Sequence, residues 1–257
     1  MSGSQLCFMY SCDAKYAEFI IPFMYFSSLS NRGAAYEFLL TERVSDGLKG
    51  RVSSLANALG VEVTLRQAPA GPQVSRFIGE PLRHYDFTYI GDIDILIMED
   101  VTPFHLAKVE RHRSVYDNVT RPGLDRMSGL QFCLADYFRL TRAARGDAAL
   151  QARFPQDEEF LYQAISRSGL PVRRPRGIAE FLENRPTHGV HISLNREPFR
   201  KGGMAFSCEQ KFAAGLVRAI GSWEFRRMVE PLISPWMRGV LNAVLPLVEA
   251  IANGEGQ

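Results

Sequence analysis

Cysteine is scarce in this chain. Four occur among 257 residues, Cys7, Cys12, Cys133 and Cys208, and no two form a C-x-x-C pair. That spacing signals neither a zinc site nor a disulfide framework, and it suits a reducing cytoplasm. Charge of one sign is also missing. The formal balance is +2 with 23% charged residues, so no bulk field draws the chain to nucleic acid. Long apolar runs are absent too: residues 19–26 are interrupted by Pro22 and too few to span a bilayer. No basic stretch precedes them as in a secretion signal. The expectation is a cytoplasmic protein with no signal peptide, no spanning helix and no nucleic-acid partner. Internal repeats and low-complexity tracts are lacking as well. What is present is a hydrophobic share of 46%, enough for the core of one large domain or a domain with an appendage.

Hydrophobic periodicity divides the chain. Residues 6–11 read as a buried strand, 15–29 carry apolar side chains at helical spacing, and 38–40 suit a second strand. A helix over 44–59 should end at Gly60, followed by a strand over 61–65. This β-α-β-α-β order predicts right-handed crossovers, a mainly parallel sheet, and ligands at the carboxyl ends of the strands. A turn over 68–72 leads to a helix over 74–83 that carries Arg76 toward the sheet. Residues 87–98, FTYIGDIDILIM, read as one central strand. A turn over 99–103, a long loop over 111–126, a strand over 130–134 and a helix over 157–166 follow. Residues 189–194 suit a strand holding His191, with a basic loop over 195–203. An α/β domain is thus expected over 1–208 and a helical extension over 209–257, broken by Pro231, Pro235 and Pro246.

Several constellations carry chemistry. Aspartates are seldom buried without a partner, yet Asp92 and Asp94 interrupt a run of Tyr, Ile, Leu and Met. On a strand their spacing puts both on one face, where they could hold Mn²⁺ or Mg²⁺ and through it a diphosphate. A pair of exposed strand-end carboxylates is the plain alternative. His191 reads either as a third ligand or as a core histidine, with His188 competing for the role. Arg196, Arg200 and Lys201 could meet phosphates or simply face solvent. Asp157 and Glu158 either complement a helix dipole or serve a sugar-transfer site as stabiliser or nucleophile. Trp223 and Trp236, among arginines, read as part of a helical cap over the sheet or as a peripheral membrane contact.

Taken in order over most of residues 6–199, these segments resemble glycosyltransferase family 8. CDAKYAEFI resembles the family's D-x-x-Y-A segment, which implies that Asp13 and Tyr16 contact uracil and ribose. The run 75–97, with its arginine before D-x-D, implies a donor-sugar or phosphate role for Arg76 and metal roles for Asp92 and Asp94. RMSGLQFC is similar to the N-x-G segment that faces the transferred sugar. Met127 stands at the asparagine there, so Ser128 and Gly129 carry over. DEEFLYQAI resembles D-Q-x-x-L, with Glu158 at the glutamine. HISLNREPF resembles H-x-x-G-x-x-K-P-W, with His191 as third metal ligand, Leu194 at the glycine and Glu197 at the lysine. The phosphate cation then falls to Arg196 or Lys201.

The resemblance implies a single Rossmann-like nucleotide-sugar-binding domain of the GT-A type, α/β with a mixed central sheet and a helical C-terminal extension. It implies a retaining glycosyltransferase that uses Mn²⁺ (or Mg²⁺), with a UDP-hexose as donor substrate. Asp157 and Glu158 would be catalytic. The acceptor would be a hydroxyl of a bacterial surface glycan or glycolipid precursor, which would put the protein in the cytoplasm or at the inner membrane face. Two alternatives differ in class. A nucleotidyltransferase or phosphohydrolase would share Asp-x-Asp without needing Asp13 and Tyr16, and a non-catalytic sugar-nucleotide-binding protein would tolerate Glu158 and Glu197. Fold alone does not choose a substrate.

Overall fold

A strand that is apolar on both faces needs cover on both sides, and β1 (Leu6–Cys12) is buried almost throughout. In this computed structural model, which describes residues 5–69, 74–192 and 206–254, β1 lies inside a six-stranded sheet of order β3-β2-β1-β4-β7-β6. β2 (Ala35–Leu40), β3 (Val63–Gln67) and β4 (Phe87–Ile90) run parallel to it or to one another. β6 (Tyr116–Asp117) and β7 (Gln131–Leu134) close the far edge antiparallel. The sheet is therefore mixed. Side chains of β1 alternate between two cores, Phe8 and Tyr10 in one, Cys7 and Met9 in the other.

The first core lies under α1 (Ile20–Ser30), entered through a 3-10 turn at Tyr16–Phe19. Phe23 meets Phe8 edge-on at 5.6 Å. Because α1 is apolar all round, it needs a second cover on its outer side. That cover comes from the helices after residue 209, described below. α2 (Asp46–Leu59) begins at Ser45, whose hydroxyl accepts from Leu48 N, and ends at Gly60 in the left-handed conformation, as its sequence predicts.

Several expectations are corrected. The strand expected over 61–65 sits at Val63–Gln67. The helix expected over 74–83 is one turn, α3 (Ser75–Ile78), because Gly79 and Pro81 stop it. The turn over 99–103 instead opens α4 (Thr102–His112), with Pro103 in its first turn where no amide is lost. The loop expected over 111–126 contains the end of that helix, β6 and a bridge between Thr120 and Met127. After β7 come α5 (Ala135–Arg145) and α6 (Ala148–Arg153), then α7 (Asp157–Arg167) and α8 (Ile178–Asn184).

The largest correction concerns residues 87–98, which form two strands in two sheets. β4 ends at Ile90. The chain then bends through Gly91 to Asp94, where Ile95 N donates to Asp92 O at 3.1 Å. β5 (Ile95–Ile97) joins a small sheet of order β5-β8-β9, with β8 (Gly189–Ile192) and β9 (Phe206–Ser207). Gly91 sits where a Cβ would approach Leu130, Tyr10 and Tyr89 to within 3.1–3.3 Å. Asp92 and Asp94 therefore occupy a corner between sheets and do not alternate along one strand.

The final helices are α9 (Gln210–Gly221), α10 (Trp223–Met228) and α11 (Pro235–Ala252). Pro246 lies inside α11 without ending it, contrary to expectation, whereas Pro235 takes the first turn. Phe225 packs on Tyr25 and Phe26 at 5.4 and 6.0 Å. Phe212, Leu216, Met237 and Val244 belong to the same core as Phe8, so these helices cover the outer side of α1. Trp236 meets Phe19 edge-on at 6.1 Å, while Trp223 is exposed beneath Arg227. Among the described residues no helix is long and apolar enough to cross a membrane.

Candidate active site

The corner after β4 gathers residues from four distant segments. Arg76, on the short α3, donates from Nη1 to Asp92 Oδ1 and, at 2.8 Å, to Gly91 O. Its Nη2 donates to Asp157 Oδ2 at the start of α7. The guanidinium is thus wedged between two carboxylates. Burial alone would lower its pKa, but Asp92 and Asp157 outweigh that and raise it. Burial likewise pushes the Asp92 carboxyl up, and the Arg76 charge more than reverses this.

Asp94 has a different environment. Burial pushes its carboxyl above the usual range, only partly offset by His191, whose Nε2 lies 3.5 Å from Asp94 Oδ1. The two are brought together by strand pairing: β5 and β8 are antiparallel with Ile95 opposite His191, and Ile192 N donates to Asp94 O at 2.8 Å. Oxygen and imidazole donors of this kind suit a hard divalent cation, and a cation would relieve the burial cost of Asp94. Asp92 reaches the same corner, but one of its oxygens serves Arg76. Among the described residues no three His, Cys, Asp or Glu side chains stand close enough to hold an ion without adjustment.

Glu158 is held by arginines. Arg121 Nε and Nη2 donate to its two oxygens at 2.6 and 2.5 Å, and Arg126 Nη2 lies 3.3 Å away. Such fork geometry fixes a carboxylate in place. Asp157 both meets Arg76 and accepts from Glu158 N at 2.8 Å, at the start of α7. Gly129 faces this group: a Cβ there would lie 3.3 Å from Arg76 Nη2, 3.4 Å from Asp92 Oδ2 and 3.6 Å from Glu158 Oε1. Ser128 is turned away and buried. Its hydroxyl donates to Asn118 Oδ1 at 2.7 Å, within a network that includes Gln131.

Asp13 and Tyr16 lie just past the carboxyl end of β1, the strand beside β4. Tyr16 N donates to Asp13 Oδ1 at 2.8 Å, which shapes the 3-10 turn. Both sit on the same sheet edge as the aspartate corner. Arg196, Arg200, Glu197 and Lys201 lie outside the described residues. His188 does not join the corner, because its ring is turned to Glu99 and His105. Sequence reasoning missed Arg121, Arg126 and Arg185, which face the site from segments with no periodic pattern. It also missed Tyr10 and Tyr89, whose buried hydroxyls have no hydrogen-bond partner. Their apolar surroundings carry no signal of a polar role.

No family model matches the chain, and no curated protein matches it by sequence. Solved structures do. The glycosyltransferase GlyE of Streptococcus pneumoniae TIGR4 matches over 98% of this chain and 63% of its own, with 10% identity and a TM-score of 0.51. Its apo form matches over 66% of this chain and 45% of its own, with 11% identity and the same TM-score. The galactosyltransferase LgtC, solved with donor and acceptor sugar analogues, matches over 66% of this chain and 73% of its own, at 12% identity and a TM-score of 0.45. The chain thus spans less than two thirds of GlyE. The chain shares its fold with the solved glycosyltransferase GlyE, α/β with a mixed central sheet, which is the fold class expected from the sequence.

Proposed function

We propose that this chain is a glycosyltransferase that moves a hexose from a UDP-sugar to a hydroxyl of a bacterial surface glycan or lipid-linked precursor, with Mn²⁺ and with retention. The observation that carries the reading is the cluster beneath Gly129, where Arg76 joins Asp92 to Asp157 on the carboxyl edge of the sheet. In an α/β fold that edge is where ligands bind.

Asp92, Asp94 and His191 are the residues that would hold the cation. When bound, it supplies positive charge to the departing diphosphate. Asp157, steadied by Arg76, offers acceptor oxygens to sugar hydroxyls. Glu158, with both oxygens engaged by Arg121, serves as a fixed acceptor at the anomeric face and is too constrained to swing toward carbon. Gly129 leaves the sugar room to approach the carboxylates, which a side chain would fill. Asp13 and Tyr16 are assigned to the uridine, because they line the adjoining strand end.

Calorimetric titration with UDP in the presence and absence of Mn²⁺ tests this reading, followed by an assay for UDP-hexose hydrolysis without acceptor. Metal-dependent UDP binding and slow hydrolysis are expected in the wild type. Asp94→Asn should lose both while keeping its unfolding midpoint. A wild type that ignores UDP at every metal concentration overturns the proposal, and binding with no turnover favours a sugar-nucleotide-binding role.

A further inference from the structure

Among the described residues Arg185 forms no ion pair, although the charges of Asp92 and Glu158 act on it. It lies between α8 and β8, three residues before His188, and is half-buried. Its electrostatic neighbours are Asp92, Arg121, Tyr89 and Glu158, so it overhangs the same corner as Arg76. The other arginines there are committed: Arg76 to Asp92 and Asp157, Arg121 and Arg126 to Glu158. The Arg185 Nε is buried without a hydrogen-bond partner, as is the Arg126 Nε, but Arg126 meets Glu158 and Glu159 whereas among the described residues no carboxylate pairs with the Arg185 guanidinium. Its nearest ring contact is Phe181, 6.0 Å away.

A second group without a partner is Tyr89, whose ring lies 6.2 Å from that of His188, three residues after Arg185. The Tyr89 hydroxyl is fully buried, has no partner, and is electrostatically coupled to Arg185. A buried N–H of a charged group costs free energy unless something compensates it, and the Arg185 Nε is such a group. The guanidinium fork can only donate, and the tyrosine hydroxyl can donate as well as accept, so an acceptor with negative charge would engage both. Guanidinium geometry favours a group that presents two oxygens in a plane, such as a phosphoryl or carboxylate group. Burial lowers the pKa of Arg185 by more than Asp92 and Glu158 raise it.

We propose that Arg185 is a ligand-binding residue of the cleft that receives an oxyanion of the substrate, assisted by the Tyr89 hydroxyl. The proposal rests on the nucleotide-sugar reading for the identity of the ligand, and two groups of such a donor carry this chemistry. One is the diphosphate. The other is a carboxylate on the sugar, which would make the enzyme selective for uronic acid donors.

Arg185→Met tests it, with uridine, UDP, UDP-glucose, UDP-glucuronate and inorganic pyrophosphate as calorimetric probes in the presence of Mn²⁺. If the diphosphate is the partner, the variant weakens UDP, both UDP-sugars and pyrophosphate by about 10- to 100-fold and leaves uridine unchanged. If the sugar carboxylate is the partner, only UDP-glucuronate is weakened. Either result upholds the anion role and tells the sources apart. The ligand-free variant should also melt no lower than the wild type, because an uncompensated charge has been removed, whereas loss of a merely structural arginine would lower the midpoint. Should the wild type bind no uridine compound, the nucleotide-sugar reading fails, and pyrophosphate alone decides: weaker binding in the variant upholds the oxyanion role. Equal binding of every probe by the two proteins, or binding of none, overturns the proposal.

Discussion

His188 Nε2 lies 3.0 Å from His105 Nε2, and each ring turns its other nitrogen to a carboxylate, His188 to Glu99 at 2.8 Å and His105 to Asp117 at 2.7 Å. This chain of four side chains ties the start of β8 to α4 and β6. Arg173 and Lys211 supply positive charge at its two ends, through Asp117 and Glu99. Lys108 and Tyr89 also face it. Only one proton fits between the two facing nitrogens, so protonating both rings must break the chain.

Acid should therefore destabilise the fold at this point. Burial and the adjacent His105 push His188 down to about 4, and burial lowers His105 as well. In the unfolded chain a histidine titrates near 6.5. Between these values the unfolded state binds more protons, so stability present above about pH 6.5 is lost as pH falls toward 4, by roughly 2–3 kcal/mol. Urea midpoints at pH 7, 5.5 and 4 measure the slope. His188→Asn tolerates the positive φ of 56° at this position and should flatten it. An unchanged slope would remove His188 as its source.

Gly129→Ala should separate binding from folding. The added methyl meets side-chain atoms of Arg76, Asp92 and Glu158 at 3.3–3.6 Å, which a shift of a few tenths of an ångström relieves, and it fills space that a bound sugar would need. Donor affinity should fall by tenfold or more, about 1.4 kcal/mol, with the thermal midpoint within a few degrees of wild type. A large midpoint drop would show that the glycine serves the fold.

Gly189→Ala should do the opposite. A Cβ at Gly189 would collide with the backbone carbonyl of Leu96 across the β5–β8 pairing, and backbone cannot rotate aside. Loss of more than about 3 kcal/mol is expected, as for other forced overpacking at its upper end. Equilibrium denaturation measures it. Wild-type stability would mean that β8 can shift away from β5 without cost.

Phe225→Ala tests whether the final helices are part of the main core. Phe225 is buried and lies against Tyr25 and Phe26 on α1. A cavity there should cost about 3–5 kcal/mol and unfold the chain in one transition. Two separate transitions would mark the helices as an independent unit.

Much of this arrangement was legible before any coordinates. The β-α order, the buried first strand and the stop at Gly60 follow from periodicity and from the backbone freedom of glycine. The motif residues Arg76, Asp92, Asp94, Gly129, Asp157 and Glu158 were picked out by type and order, and they do converge on one corner. Less legible was the break at Gly91, because an apolar run reads the same whether it stays in one sheet or crosses to another.

By itself the amino-acid order determined which segments are buried, since burial pattern is a local property of the chain. Only the tertiary structure decided which charges meet. Arg76 and Asp157 lie 81 residues apart in sequence, and His105 and His188 lie 83 apart. Ion pairs and ring contacts at such separations depend on strand order and register, and short-range pattern does not encode them. The same holds for Arg185, which forms no ion pair among the described residues although Asp92 and Glu158 act on its charge.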